Sequence, residues 1–175
     1  MKTFLFATVV SLFTVAANAQ HDHSSHSPAA TTSSTQTSLT QLLPLYYDIK
    51  NALVNGDAAT ASANADAFAK AVNGADMSTL AGNEMDVFMA SQKKLAADAG
   101  QIAAVKDIQK QRDAFATLSA DMATLAKGVK LSSAPVYVAT CPMKKATWLS
   151  SEAAIKNPYY GKQMLTCGKV TETIK

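Results

Sequence analysis

The 175-residue chain has two cysteines, one tryptophan, three histidines and seven glycines, and charged residues make up only 17% of it. Each scarcity excludes something. Two cysteines are too few for a disulfide-rich miniprotein, and without Cys-x-x-Cys there is neither a thiol-redox motif nor a c-type haem attachment site. A low charge content with a mean hydropathy of +0.02 is not that of a disordered polyelectrolyte. All the histidines lie at His21, His23 and His26. The remaining chain therefore has no Glu-x-x-His pair for a di-iron centre and no histidine general base, and it carries no nucleophile motif or phosphate loop. No enzymatic activity is expected. Apart from Phe4–Val15 there is no long apolar run, so no membrane insertion is expected once that segment is removed.

What is present falls into distinct regions. Lys2, the apolar run and Ala17-Asn18-Ala19 have the parts of a secretory signal over residues 1–19, with small residues at −3 and −1 of the cleavage point. No cysteine follows that point, so a lipoprotein is not expected. A soluble, exported, periplasmic protein beginning at Gln20 is. Residues 20–37 hold nine Ser/Thr and no large apolar side chain, which predicts a disordered tether. Its three imidazoles are possible accessory ligands for copper, zinc or nickel, though their spacing fits no rigid tetrahedral site.

Residues 38–129 predict a helical bundle. Leu39, Leu42, Leu43, Tyr46, Ile49 and Leu53 recur at three- and four-residue steps. Pro44 either kinks this helix or marks its first turn. Asn55-Gly56 ends it and Asp57 caps the next, which is alanine-rich and anchored by Phe68 and Val72. A third helix is expected to open at Asp76 or Ser78 and to carry Leu80, Val87, Phe88 and Leu95. A break near Gly100 then leads to a fourth, with Ile108, Phe115, Leu118, Met122 and Leu125 inside. Arg112, among apolar neighbours, is expected to pair with a carboxylate or lie along the surface. Met77, Met85, Met89 and Met122 read as core filling rather than metal ligands. The fold class is mainly α: an antiparallel four-helix bundle with a small C-terminal β-hairpin-like module over residues 130–175.

That module carries the chemistry. Residues 135–140 read as a strand running into Cys141-Pro142-Met143. A loop is expected to hold Trp148, Leu149 and Ser150, a turn the Asn157-Pro158-Tyr159-Tyr160-Gly161 block, and a second strand residues 164–170. Antiparallel pairing of the two strands would bring Cys141 and Met143 near Met164 and Cys167. Two thiols and two thioethers form a soft donor set that selects Cu(I) or Ag(I) over hard cations. Trp148, Tyr159 and Tyr160 would shield such a site.

Charge is split to match. Residues 130–175 hold seven lysines and two glutamates, whereas residues 20–129 carry a net −3. The positive end favours thiolates and an anionic bis-thiolate centre, or attracts an acidic partner. Nucleic acid is not an expected partner of an exported protein. From spacing alone a Cys141–Cys167 disulfide stands beside the metal reading. It would close a loop of about 27 residues and stabilise the fold by roughly 3.5 kcal/mol.

Cys141-Pro142-Met143, Trp148-Leu149-Ser150, Asn157-Pro158-Tyr159-Tyr160-Gly161 and Met164-Leu165-x-Cys167-Gly168 together resemble an exported bacterial family described only as a domain of unknown function. Tyr46-Tyr47, Ala52-Leu53-Val54, Asp57, Arg112-x-x-Phe115 and Leu118-Ser119 extend the resemblance through the helices, so that it covers about residues 38–175. Members also occur attached to periplasmic adaptor proteins of heavy-metal efflux systems. The resemblance therefore implies copper or silver handling in the cell envelope, with an efflux adaptor as partner. The alternative function is a disulfide-stapled interaction module docking on such a component.

Overall fold

The computed structural model describes residues 38–175; the expected leader, the tail and its three histidines lie outside them. Four helices follow one another: α1 (Leu42–Asn55), α2 (Ala58–Asn73), α3 (Asn83–Ala104) and α4 (Ile108–Gly128). Each packs on its sequence neighbours, as short connections dictate. Three strands come after them: β1 (Val136–Cys141), β2 (Ala146–Ser150) and β3 (Lys169–Ile174). The expected class, a mainly α bundle with a small C-terminal sheet, is the one observed.

The helix boundaries have local causes. A 3-10 turn at Leu39–Gln41 leads into α1, and Pro44 sits in the first turn of that helix, where its missing N–H costs nothing. Asp57 caps α2 by accepting from the Thr60 N–H at 3.0 Å. α3 opens later than expected, at Asn83, so Leu80 precedes the helix. Asp76 accepts from the Ser78 N–H and closes a turn instead. Nor does α3 break at Gly100, which is exposed and faces open space. One glycine costs a helix only about 1 kcal/mol. The stronger stop is Asp107, whose side chain caps α4. The gap before α4 is sealed by Gln111, fully buried, whose amide donates to the carbonyls of Ala58, Ile102 and Val105.

Arg112 departs from expectation. It is 6% exposed and donates to the Leu53 carbonyl at 3.0 Å instead of pairing with a carboxylate. A cation at the end of α1 complements the unpaired carbonyls and the helix dipole there.

The C-terminal module is a three-stranded antiparallel sheet ordered β2-β1-β3, one strand more than a hairpin. Trp148, Leu149 and Ser150 form part of β2, where a loop was expected. The anticipated second strand starts late. Residues 164–168 are turn, and pairing with β1 begins at Lys169. Each difference has a local cause: β3 is exposed along nearly its whole length and has no apolar alternation to announce it, and β2, at five residues, is too short to establish a period.

The sheet docks on α4 through β2. The Tyr46 hydroxyl, fully buried, bonds the Ser119 hydroxyl of α4 at 2.7 Å and accepts from the Leu149 N–H of β2 at 3.1 Å. Its ring stacks on Phe115 with centroids 5.2 Å apart. Lys144 pairs with Asp113 of α4, and Lys127 pairs with Glu172 of β3 at 2.6 Å.

Asp98 of α3 is only 8% exposed, and its Oδ2 has no partner among the described residues. Burial, together with the charge and hydrogen bond of Asp121, pushes its pKa up to about 6, and Lys94 opposes the shift. An unfolded Asp titrates near about 3.9. Between these values the folded state binds more protons, so stability should fall as pH rises from about 4 to about 6. Asp98→Asn should remove that decline, as read by urea unfolding across pH; an unchanged decline would refute it. Tyr46→Phe would leave the buried Leu149 N–H unpaired and should cost roughly 1–3 kcal/mol in the same assay.

Candidate metal centre

The two thiols converge. Cys141 ends β1, and Cys167 closes the turn just before β3. Because β3 pairs with β1, with Lys169 opposite Thr140, the residues flanking the strand ends are brought together. The sulfurs lie 4.0 Å apart and both cysteines are free. Cys141 is fully buried, and Cys167 is partly open.

The loop that presents Cys167 is held by Asn157, which is itself fully buried. Its amide donates to the Cys167 carbonyl at 2.6 Å, and its side-chain oxygen accepts from the Tyr159 N–H at 2.8 Å. Its backbone N–H bonds the Leu165 carbonyl, and its carbonyl takes the Gly161 N–H. One side chain thus closes the Asn-Pro-Tyr-Tyr-Gly turn onto the cysteine. Sequence reasoning saw Asn157 as a turn former and missed this role; a buried Asn and an exposed one read alike in a single sequence.

Two glycines make the close approach possible. Gly161 has φ +53, and a Cβ there would lie 2.8 Å from the Val54 carbonyl. Gly168 has φ +147, and a Cβ there would sit 2.7 Å from the Trp148 ring and 3.1 Å from the Thr140 carbonyl. Real side chains do not tolerate such contacts, so the residue after Cys167 has to lack one.

The electrostatics separate the two thiols. Burial pushes Cys141 up, but hydrogen bonds from the Lys144 N–H, the Asn157 amide and the Cys167 thiol outweigh it and hold its pKa below the ordinary thiol value. The Lys144 N–H lies 3.4 Å from the sulfur. Burial pushes Cys167 up, and the neighbouring Cys141 raises it further. The pair thus favours one thiolate, on Cys141, with Cys167 donating to it.

The other expected residues are placed unequally. Met143 lies in the β1–β2 turn and is 65% exposed. Met164 is half-buried in the Cys167 loop, where its carbonyl accepts the Cys167 N–H at 3.0 Å. Trp148 is buried against Gly168. Tyr159 is buried too, its hydroxyl donating to the Thr147 carbonyl. Its ring bridges Trp148 and Phe115, with centroids 6.0 and 6.1 Å away, and thereby joins the thiol end to the bundle core. Tyr160 lines a cleft with Val54, Gly56 and Arg112 at the end of α1. Among the described residues no group of three or more His, Cys, Asp or Glu could hold a metal ion. Cys141 and Cys167 are thus the metal-ligating residue types that the fold brings together here.

Ultraviolet thiolate absorbance should show two ionisations, one below and one above the ordinary thiol value of about 8.5. Asn157→Ala should raise the lower step. A single joint step at the ordinary value would refute the hydrogen-bond assignment.

Residues 42–134 match the model of a family described as a protein of unknown function (DUF3347). The matched span takes in all four helices and ends before β1, so Cys141, the Asn-Pro-Tyr-Tyr-Gly block and Cys167 lie beyond it. No curated protein and no solved structure matches the chain.

Proposed function

The chain belongs to the family described as a protein of unknown function (DUF3347), and from the sulfur pair at the end of its sheet we propose that it is a periplasmic protein that binds and handles Cu(I) or Ag(I) in connection with heavy-metal efflux. The observation that carries this reading is the 4.0 Å separation of the Cys141 and Cys167 sulfurs. With a metal–thiolate bond of about 2.3 Å on each side, that gap corresponds to an S–metal–S angle of roughly 120°. Such an angle belongs to a three-coordinate ion, so the two thiolates call for a third donor. Met143 and Met164 offer thioethers on the two loops that bear the cysteines. An all-sulfur set of low coordination number suits Cu(I) and Ag(I) and excludes hard cations.

The surroundings favour the same ion. The polar hydrogens around Cys141 stabilise its thiolate, and the lysines of residues 130–175 offset the negative charge of a bis-thiolate centre. Burial of Trp148 and Tyr159 beside the loop keeps water from its inner side. No helix among the described residues is long and apolar enough to cross a membrane, which suits action as a freely diffusing or docked carrier. The leader over residues 1–19 would deliver it to the periplasm. His21, His23 and His26 would collect ions ahead of the sulfur site, and an efflux adaptor protein would be the partner.

A second reading starts from the same sulfurs. They need to approach by only about 2 Å to bond, and the protein would then be a disulfide-stapled interaction module. The two readings separate cleanly. Under reducing, anaerobic conditions the mature chain should take up one tight Cu(I) in competition with a chromophoric chelator. The Cys141→Ser/Cys167→Ser variant should lose that binding, whereas replacing the three histidines should leave it intact. Of Met143→Ala and Met164→Ala, the one that removes the third donor should weaken binding roughly tenfold, about 1.4 kcal/mol. Unchanged binding in the double cysteine variant would defeat the site. Loss of two hydrogens in intact mass, with no uptake after reduction, would favour the staple.

A further inference from the structure

α1 carries a mostly buried lysine that the sulfur chemistry does not use. Lys50 is 5% exposed. Among the described residues its ammonium has no hydrogen bond, and none of the ion pairs includes it. Burial pulls its pKa down, aided by the charge of Lys156 and opposed by that of Glu152. The ammonium is not one of the fully buried, unpartnered polar atoms, so it reaches the solvent of the cleft beside it, and no carboxylate of the described residues pairs with it there.

Lys50 lines an open cleft of about 490 Å³ between α1 and the segment after β2. This lies within the usual range of small-molecule sites, about 300–1,000 Å³. Two cations and one anion line it, and Lys156 is already paired with Glu152 at 2.7 Å. One positive charge, that of Lys50, is left to be neutralised. Val54 and Leu165 supply apolar wall, and Leu165 is 39% exposed. The amides of Asn51 and Asn55 and the hydroxyl of Ser151 supply polar groups.

We propose that this cleft binds a small organic monocarboxylate, its anionic head on Lys50 and its hydrocarbon portion against Val54 and Leu165. The charge count selects a monoanion, and the apolar wall selects an organic acid over an inorganic ion. The inference stands apart from the metal reading, since none of the cleft residues is a proposed metal ligand.

The test uses the isotope-labelled mature chain, titrated with butyrate and, for comparison, acetate and inorganic phosphate, and followed by amide NMR. Butyrate should give saturable shifts at Asn51, Asn55, Ser151 and Leu165, acetate should bind more weakly, and phosphate should produce no comparable saturation. The Lys50 side chain should titrate at higher pH when butyrate is bound, because the carboxylate stabilises the ammonium. Lys50→Met should weaken butyrate at least tenfold. Leu165→Glu, at a more open position, should do the same by placing a like charge at the rim, and it provides the result if Lys50→Met fails to fold. Absence of saturable shifts, equal affinity for phosphate, or wild-type affinity in a folded variant would overturn the proposal.

Discussion

The Tyr46 hydroxyl is the point at which the helical and sheet parts of this protein become one structure. It bonds the Ser119 hydroxyl on α4 and accepts from the Leu149 N–H on β2. Burial raises its pKa well above the usual tyrosine range, so it stays neutral. The ring adds a second attachment by stacking on Phe115. From Phe115 the contacts continue to Tyr159 and on to Trp148. The order of the thiol-bearing end is thus inherited from the bundle through a continuous aromatic column. A sheet this small and largely exposed on one strand would be marginal alone.

Around the cysteines the same economy applies. Asn157 spends its side chain on the Cys167 carbonyl and the Tyr159 N–H and its backbone on Leu165 and Gly161. Gly161 and Gly168 let the chain pass close to the Val54 carbonyl and the Trp148 ring. The result is a pair of thiols with unequal proton affinity, held at a separation too long for a bond between them and short enough for one ion to bridge. In the proposed function, the rigid loops would set the donor geometry before the metal arrives, and the exposed Met143 would leave one side open for exchange with a partner.

The bundle also keeps several polar groups inside, and they are resolved in different ways. Gln111 and Arg112 answer backbone carbonyls at helix ends. Burial and the neighbouring Asp121 make Asp98 harder to ionise, which raises its pKa to about 6. Lys50 has neither solution within the described chain, which is why its cleft invites a ligand.

Much of this was legible in the residues themselves. Apolar stripes at helical spacing, with Asn55-Gly56, Asp57 and Gly128 as punctuation, dictated four helices, because burying one face of a helix is a local, periodic demand. The concentration of soft sulfur in the basic last 46 residues likewise marked the segment in which the two thiols meet. Other features had no local signature. The start of α3 and the continuity through Gly100 depended on competing caps. β2 and β3 became strands because β1 offered both its edges, and hydrogen bonding to a neighbour leaves no period in an exposed strand. That Asn157 is buried beneath Cys167, that Arg112 reaches Leu53, and that two sulfurs 26 positions apart stand 4.0 Å from each other were settled only by tertiary packing. Each is a meeting of segments distant in the chain, and side-chain types alone do not say which partners will meet.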